Sequence, residues 1–420
     1  MNFELNEGAE IIASTFKDYD YSVGYHDIKP FNKNSDELVV LHRYPLNIIN
    51  FDDPKEIDVC VWNIKNNNID LIAKTDLWSW EQGSRLQWLD DKKLIFNIRN
   101  NSNFNSCIYN IETKKTEYLD NPFYSISSEK FLTLNYTRLW KFWKNYGYNS
   151  DLKDKNFQKK PKDDGIFLCD FKNQKKLILS IHDAVKLCGL ENIDRYFFLA
   201  HPTFCPDGSK FVSLLRFFND TNTLISYFIL TDVKNLTNQI LAKERATHFE
   251  WINNSSLVVY SRNFSNNLGK LRNNKFTEKY IISSVKKILN FINPKIKQKL
   301  LSTHYHLINL ENPNQFIKLD ENNLTEDGHP QLSSSGKYLI TDTYANKEGF
   351  QKLMIHCIKK NKTYEIGKFK VASYLRENNL KYDLHPRWNN NDKLISIDSS
   401  HEGSRQSYII NIEKFIKKIS

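Results

Sequence analysis

Long apolar runs are absent from this sequence, and none approaches the roughly 18 residues that a membrane-spanning helix needs. The first residues, MNFEL, show neither the basic stretch nor the apolar stretch of a secretory signal peptide. The six cysteines form no Cys-x-x-Cys pair, and four of them lie in apolar, strand-like runs where free thiols are common. These absences argue against a disulfide framework and a transmembrane segment, and we expect a protein of the reducing cytoplasm.

Several catalytic motifs are missing too, namely G-x-S-x-G, the Walker loop, G-x-G-x-x-G and H-E-x-x-H. Alanine is scarce, whereas isoleucine, tyrosine, phenylalanine and asparagine are plentiful, a mixture that favours strands and turns. The formal net charge of +10 favours a polyanionic partner such as an acidic polysaccharide, although charge spread along the chain also serves solubility. No RNP-like pattern is present, so we expect no nucleic-acid partner.

One local pattern recurs seven times and decides the fold. An aromatic or large apolar residue opens each copy, a polar turn of about four residues follows, and a second strand such as KLIFNIR comes next. The opening residues are Phe31, Trp88, Ile126, Phe204, Trp251, Leu332 and Trp388. Further strand-like runs complete each unit, so the pattern predicts one all-β domain over residues 1–420, a seven-bladed β-propeller with four-stranded antiparallel blades. A β-sandwich would not explain seven copies.

Two segments interrupt the repeat, 139–163 in the third blade and 263–302 in the fifth. The second carries nine Lys or Arg and one acidic residue, and its apolar rhythm predicts a basic amphipathic helix. Such a helix either packs on the propeller rim or contacts a membrane surface or a partner protein. A propeller usually closes by combining strands from both chain ends, and either Glu10–Ser14 or Phe415–Ser420 fits that role.

Histidines recur at one offset of the repeat. His201, His248, His329 and His385 each lie three residues before an opening residue, and Arg85 takes this place in the second blade. Equivalent offsets occupy equivalent places around the axis, so the four imidazoles should surround one mouth of the channel. They would hold a divalent metal such as Zn, Mn or Ca, or supply a general base. The plainer alternative is that each merely begins an inner strand.

Other polar and aromatic residues fall at blade ends that face the same mouth. Arginines there suit a carboxylate ligand, and tyrosines suit a proton donor or a sugar-stacking surface. As candidate substrate-binding residues we select Gln82, Arg85, Tyr146, Tyr344, His401, Arg405 and Gln406.

In order along the chain, WSWEQGSRLQWL, NYGYN, HPTFCPDGSKF, THFEW, DGHPQLSSSGKYLITDTY and DLHPRWNNNDKLISIDSSHEGSRQSYII resemble the β-propeller polysaccharide lyases. The similarity is to ulvan lyases and, more distantly, to oligogalacturonate lyases, on TolB-like propeller repeats. It extends from about Asp27 to Ile410 and implies β-elimination at a uronic acid. The early blades show no obvious second catalytic histidine, which departs from the ulvan lyases.

Carried over by motif, the resemblance implies a role for each of several residues. His201 would be the base, Tyr148 the acid, and Arg216 would face the substrate carboxylate. His248, His329 and His385 would form the metal set. The competing hypothesis is a non-catalytic propeller that binds a glycan or scaffolds a polysaccharide-biosynthesis complex.

Overall fold

Four-stranded sheets recur along the chain as the sequence repeat predicts. A computed structural model describes residues 2–46, 48, 56–128, 130–149, 156–262, 303–313 and 315–420. Seven antiparallel sheets form the blades of a β-propeller, and strands that follow each other in the chain pair side by side within a blade. The predicted fold class is therefore confirmed. The predicted helix in 263–302 lies outside the described residues.

The first four blades are built in chain order. Blade one has β3 (Asp20–Ser22), β4 (Leu38–Tyr44), β5 (Ile57–Asn63) and β6 (Asn68–Thr75). Blade two has β7 (Gln87–Trp88), β8 (Lys93–Asn100), β9 (Asn103–Asn110) and β10 (Thr116–Leu119). Blade three has β11 (Ser125–Ser127), β12 (Lys130–Thr133), β13 (Gly165–Asp170) and β14 (Lys175–Ser180). Blade four has β15 (Phe198–Phe204), β16 (Lys210–Phe218), β17 (Leu224–Asp232) and β18 (Asn238–Ala242).

The last three blades include the ring closure. Blade five has β19 (Ala246–Asn253), β20 (Ser256–Arg262), β21 (Thr303–Asn309) and β22 (Phe316–Lys318). Blade six has β23 (Gln331–Leu332), β24 (Tyr338–Asp342), β25 (Phe350–Cys357) and β26 (Lys362–Lys370), with β1 (Phe3–Leu5) added at its outer edge. Blade seven has β27 (Arg387–Trp388), β28 (Leu394–Ser399), β29 (Gln406–Asn411) and β2 (Glu10–Ser14). Of the two candidates for closure, Glu10–Ser14 is thus the one that completes the blade.

Short helices lie between or after the strands. They are α1 (Tyr136–Phe142), a 3-10 turn (Lys144–Tyr146), α2 (Ile181–Leu187), α3 (Ser373–Glu377) and α4 (Glu413–Ile419). Helix α1 begins after Asn135, whose side chain accepts a hydrogen bond from the Arg138 backbone, as an N-cap does. The alternative closing segment, Phe415–Ser420, belongs largely to α4. Within the described ranges, no helix is long and apolar enough to cross a membrane.

Apolar side chains fill the spaces between neighbouring blades. At one such interface Val40 and Val59 of blade one pack with Leu86, Trp88 and Phe96 of blade two, and all five are buried. Successive side chains of a strand point to opposite faces, so each blade can bury apolar residues against both neighbours. Full burial of such a side chain contributes roughly 1.5–3 kcal/mol, and this packing sets the position of every inner strand around the channel.

Blade one departs from the repeat at its inner strand. After Ser22 the chain leaves the sheet, and it returns at Phe31, which forms an isolated bridge with Val39. We call residues 23–30 the inner loop. It carries Tyr25 and His26, and both side chains are buried.

Candidate functional site

At the position three residues before the opening residue of a hairpin, the backbone of several blades adopts unusual φ angles. Arg85, His201 and His385 have φ values of 61°, 51° and 41°, in the left-handed region that side chains other than glycine rarely adopt. The pairing register also shifts between Ala200 and Thr203, and between Ala246 and Phe249, around His201 and His248. A bulge re-aims a side chain, and strain of this kind concentrates at functional sites.

The structure brings the predicted histidines together and adds one more. We call His26, His201, His248, His329 and His385 the histidine group. The ring centroid of His329 lies 4.4 Å from that of His248, 4.2 Å from that of His385 and 5.4 Å from that of His26. His201 joins the group through Tyr25, whose ring stacks on it at 5.4 Å and meets His385 at 5.0 Å.

Acceptors behind three of these rings determine which nitrogen carries the proton. His26 Nδ1 lies 2.9 Å from the Pro330 carbonyl, which can only accept. His329 Nδ1 lies 2.8 Å from Asp342, and His248 Nδ1 lies 2.9 Å from Asp327. Because Nδ1–H donates in each case, Nε2 of these three rings carries the lone pair.

His248 and Asp327 form an ion-pairing geometry. Burial opposes ionisation of Asp327, but the interaction with His248 prevails and lowers the pKa of the carboxyl group. Asp327 also accepts a hydrogen bond from the Thr247 hydroxyl at 3.0 Å. An ionised Asp327 fixes the tautomer of His248, which is the arrangement that a general base requires.

Three side chains have the spacing of a metal site. The ligand atoms of His329, Asp383 and His385 all lie within 4.8 Å of one another, and all three residues are buried. His385 Nε2 has no hydrogen-bond partner among the described residues. Burial, and next the negative charge of Glu81, raise the pKa of Asp383 well above its ordinary value. A bound cation would stabilise the ionised form of Asp383, which burial and Glu81 disfavour. Two imidazoles and a carboxylate are a ligand set that fits a divalent metal.

His201 has a different environment. Its Nδ1 lies 2.6 Å from the Tyr124 hydroxyl, and the Tyr124 oxygen accepts a hydrogen bond from the Gln82 amide. The Tyr124 proton is therefore directed at His201, which leaves the imidazole proton on Nε2. Burial, with a further effect from the positive charge of Arg216, lowers the pKa of His201 well below its ordinary value. His201 is thus a neutral hydrogen-bond donor.

Arg216 is buried beside His201. Its guanidinium lies 4.3 Å from the ring centroid of Trp143, which in turn stacks on Tyr146 at 3.7 Å. Nε and Nη1 of Arg216 have no hydrogen-bond partner in the part of the chain that the structure describes. Trp143 and Tyr146 come from the segment after α1, where Gly147 is required because a Cβ there would overlap the backbone of Trp140. Residues after α1 therefore form one wall of the site.

The remaining predicted residues divide into two sets. Gln82 and Arg85 support Tyr124, and Arg85 also forms two hydrogen bonds with Asp27 at 2.7 and 2.9 Å. Tyr344 is partly buried, and its ring lies 5.7 Å from that of His329.

The second set consists of four residues whose side chains contact other parts of the fold. Tyr148 stacks on Tyr136 at 4.2 Å within an apolar cluster and accepts a hydrogen bond from Asn97. His401 packs among Phe3, Phe369 and Tyr408. Arg405 bonds Asp20 and lies over Trp80, whereas Gln406 bonds Thr15 and the Tyr19 carbonyl. These four residues have structural partners already.

Sequence reasoning missed Tyr25, His26 and Asp383. Tyr25 and His26 precede the first hairpin, as the other histidines precede theirs, but at offsets of six and five rather than three. Asp383 lies two residues before His385 in the motif DLHPRW, so its proximity to a histidine of the repeat was the available signal.

The structure is a seven-bladed propeller in which imidazoles, phenols and the Arg216 guanidinium cluster around the starts of the inner strands, and Arg216 has no ion-pair partner among the described residues. No family model and no curated protein matches the chain. Its structure is similar to that of an oligogalacturonate lyase in complex with manganese, at 14% identity and a TM-score of 0.62, over 99% of this chain and 97% of that chain. An oligogalacturonate lyase from Vibrio parahaemolyticus is similar at 12% identity and a TM-score of 0.57, over 98% and 96% of the two chains.

A TolB from Acinetobacter baumannii is also similar, at 11% identity and a TM-score of 0.38, over 90% of this chain and 82% of that chain. The two oligogalacturonate lyases confirm the expected resemblance to propeller lyases at the level of the fold.

Proposed function

We propose that the protein cleaves uronic-acid-containing oligo- or polysaccharides by β-elimination at the channel mouth. The observation that carries this proposal is Arg216. The structure describes five buried arginines, and the other four each have an aspartate within ion-pair distance. The pairs are Arg85–Asp27, Arg138–Asp164, Arg387–Asp398 and Arg405–Asp20. Within the described part of the chain, no such ion pair involves Arg216, so its guanidinium is available for a ligand carboxylate.

The substrate carboxylate is the group that this pocket suits best. A C6 carboxylate bound to Arg216 would also receive the Nε2–H of His201, because both side chains contact the Trp143 ring. Both interactions stabilise the charge that develops on the carboxylate when the C5 proton is removed. A divalent cation held by His329, Asp383 and His385 would add Lewis-acid stabilisation of the same charge. The manganese in the similar oligogalacturonate lyase is consistent with such a cation.

His248 is our candidate for the base. Asp327 holds its Nδ1–H, so Nε2 is free to accept the C5 proton, and His329 separates it from His385 within the group. His201, which sequence comparison suggested as the base, has the opposite tautomer and serves better as a donor. Tyr148 has structural partners, so we do not assign it the acid role.

The test is an elimination assay on oligouronides. The wild-type protein should generate the ultraviolet absorbance of a C4=C5 double bond from at least one member of a panel of galacturonate and glucuronate oligomers, with manganese added. Removing the base in His248→Gln should lower the rate by roughly 10²–10⁴-fold. His304→Gln, a histidine of blade five outside the histidine group, is the matched control and should retain the rate.

Absence of new absorbance across the panel would refute the lyase proposal. Calorimetric binding of the same oligomers without absorbance would instead support the non-catalytic, glycan-binding propeller.

A further inference from the structure

The inner loop is held by the two blades that precede blade one around the ring. The backbone nitrogen of Val23 donates to Asp398 at 3.0 Å, and the Tyr25 carbonyl accepts from Arg387 at 3.2 Å. The His26 carbonyl accepts from Gln331 at 2.8 Å. Asp398 and Arg387 belong to blade seven and Gln331 belongs to blade six, so a loop of blade one is fixed to its neighbour and to the blade beyond it. An irregular loop with this many buried polar anchors is a built feature rather than a loose connection.

Tyr25 is the residue that this loop places at the centre of the site. Its ring contacts His201 of blade four at 5.4 Å, His329 at the start of blade six at 5.9 Å and His385 at the start of blade seven at 5.0 Å. It therefore lies between the Arg216 side of the pocket and the side formed by His329, Asp383 and His385. A uronate ring whose carboxylate reaches Arg216 lies next to Tyr25.

Tyr25 lies behind a second phenol of the site. Its ring meets that of Tyr146 edge-on, at 5.8 Å between centroids. The Tyr146 ring is only partly buried, whereas Tyr25 is 2% exposed. A substrate that enters past Tyr146 would therefore meet Tyr25 next, and a phenol can donate its proton to a substrate oxygen.

We propose that Tyr25 is a catalytic residue, the acid that protonates the leaving glycosidic oxygen; this inference rests on the proposed function. His248 Nε2 takes the C5 proton, and the C5–H electron pair forms the C4=C5 double bond. The C4–O4 bond breaks, its electron pair stays on O4, and O4 takes the Tyr25 proton. The phenolate then regains a proton from water and His248 returns one to water, so the enzyme is unchanged over the cycle.

The experiment compares two leaving groups in Tyr25→Phe. With digalacturonate, the glycosidic oxygen that departs from C4 needs a proton, and the rate should fall by roughly 10²–10⁴-fold. With a galacturonate glycoside that carries fluoride at C4, departure needs no proton, and the rate should fall by less than about fivefold. Equal losses on both substrates would overturn the assignment, because they would mean that Tyr25 acts before or apart from proton donation.

Two further variants separate this inference from its rivals. Tyr146→Phe would show the leaving-group dependence instead if the acid were Tyr146, and that result would also overturn the proposal. Tyr408→Phe removes a buried hydroxyl of blade seven that bonds Glu402, and it should behave like wild type on both substrates. Failure of the proposed function has its own signature, since the wild type itself would then release neither fluoride nor an unsaturated sugar.

Discussion

Replacing Arg216 with methionine should make the protein more stable and less active at the same time. Arg216 is 3% exposed, and among the described residues its guanidinium lacks a carboxylate partner and has two nitrogens without acceptors. Such a group lowers the stability of the unliganded fold. A ligand carboxylate would provide the acceptors that its nitrogens lack, which is the reason we give for an arginine at this position. A residue whose role was to hold the blades together would give the opposite result.

The magnitude follows from the contacts. Each unsatisfied N–H group costs roughly 1–3 kcal/mol when buried, whereas the contact with Trp143 returns about 1–2 kcal/mol. Methionine fills similar space without charge, so the free energy of unfolding should rise by about 1–3 kcal/mol, as when apolar residues replace buried charges. An unfolding entropy of about 2 cal/mol/K per residue over 420 residues converts this into a rise in Tm of about 1–3 °C.

Calorimetry and the elimination assay test both halves of the prediction. Arg387→Met is the matched control, because Arg387 is as buried but pairs with Asp398 at 3.0 Å. Removing it leaves that carboxylate buried and should cost about 3–5 kcal/mol. Galacturonate should raise the Tm of wild type and not that of Arg216→Met, since only wild type binds it. A fall in Tm of several degrees in Arg216→Met would refute the reasoning and give Arg216 a structural role.

Three further predictions test other parts of the molecule. Asp383→Asn should weaken manganese binding, measured by calorimetry, by roughly 10–100-fold, and undiminished binding would remove Asp383 from the metal set. His401 has its pKa lowered by burial to about 4, so the unfolded chain binds more protons between about pH 4 and 6.5 and stability falls as the pH drops. His401→Phe should therefore gain about 2 kcal/mol at pH 5 relative to pH 7, measured by denaturant unfolding, and a parallel shift at both pH values would contradict this. Deleting residues 2–14 removes β1 and β2, opens the ring and should cause aggregation on size exclusion; a monomer with unchanged Tm would show that closure is dispensable.

The blades were readable from sequence because each hairpin is a local feature. A polar turn between two apolar runs, as in the segments that begin at Trp88 and Trp388, predicts a strand pair from those residues alone, whatever the neighbouring blades contain. Ring closure is not local, since β2 pairs with β29 from the other end of the chain. Composition alone therefore left Glu10–Ser14 and Phe415–Ser420 equally eligible.

Charged motifs were harder to interpret than apolar ones. Arg405 and Arg216 both follow patterns that suggest a carboxylate ligand, but the fold gives Arg405 an aspartate, Asp20, at 3.3 Å and gives Arg216 none within the described residues. A sequence does not reveal whether a buried arginine has a partner from another blade. For the same reason His401 was selected as a substrate-binding residue although aromatic rings surround it.

The repeat made four histidines equivalent, and the structure makes them different. Each lies at one offset, yet His248 faces Asp327, His329 faces Asp342 and His201 faces a tyrosine hydroxyl. His385 Nε2 has no hydrogen-bond partner among the residues that the structure describes. Asp342 lies on a strand of the repeat itself, whereas Asp327 and Tyr124 come from connections between blades, which the hairpin repeat does not specify. The repeated blades therefore bring the imidazoles together, and the unrepeated connections give them the different partners on which the proposed roles of base, donor and metal ligand rest.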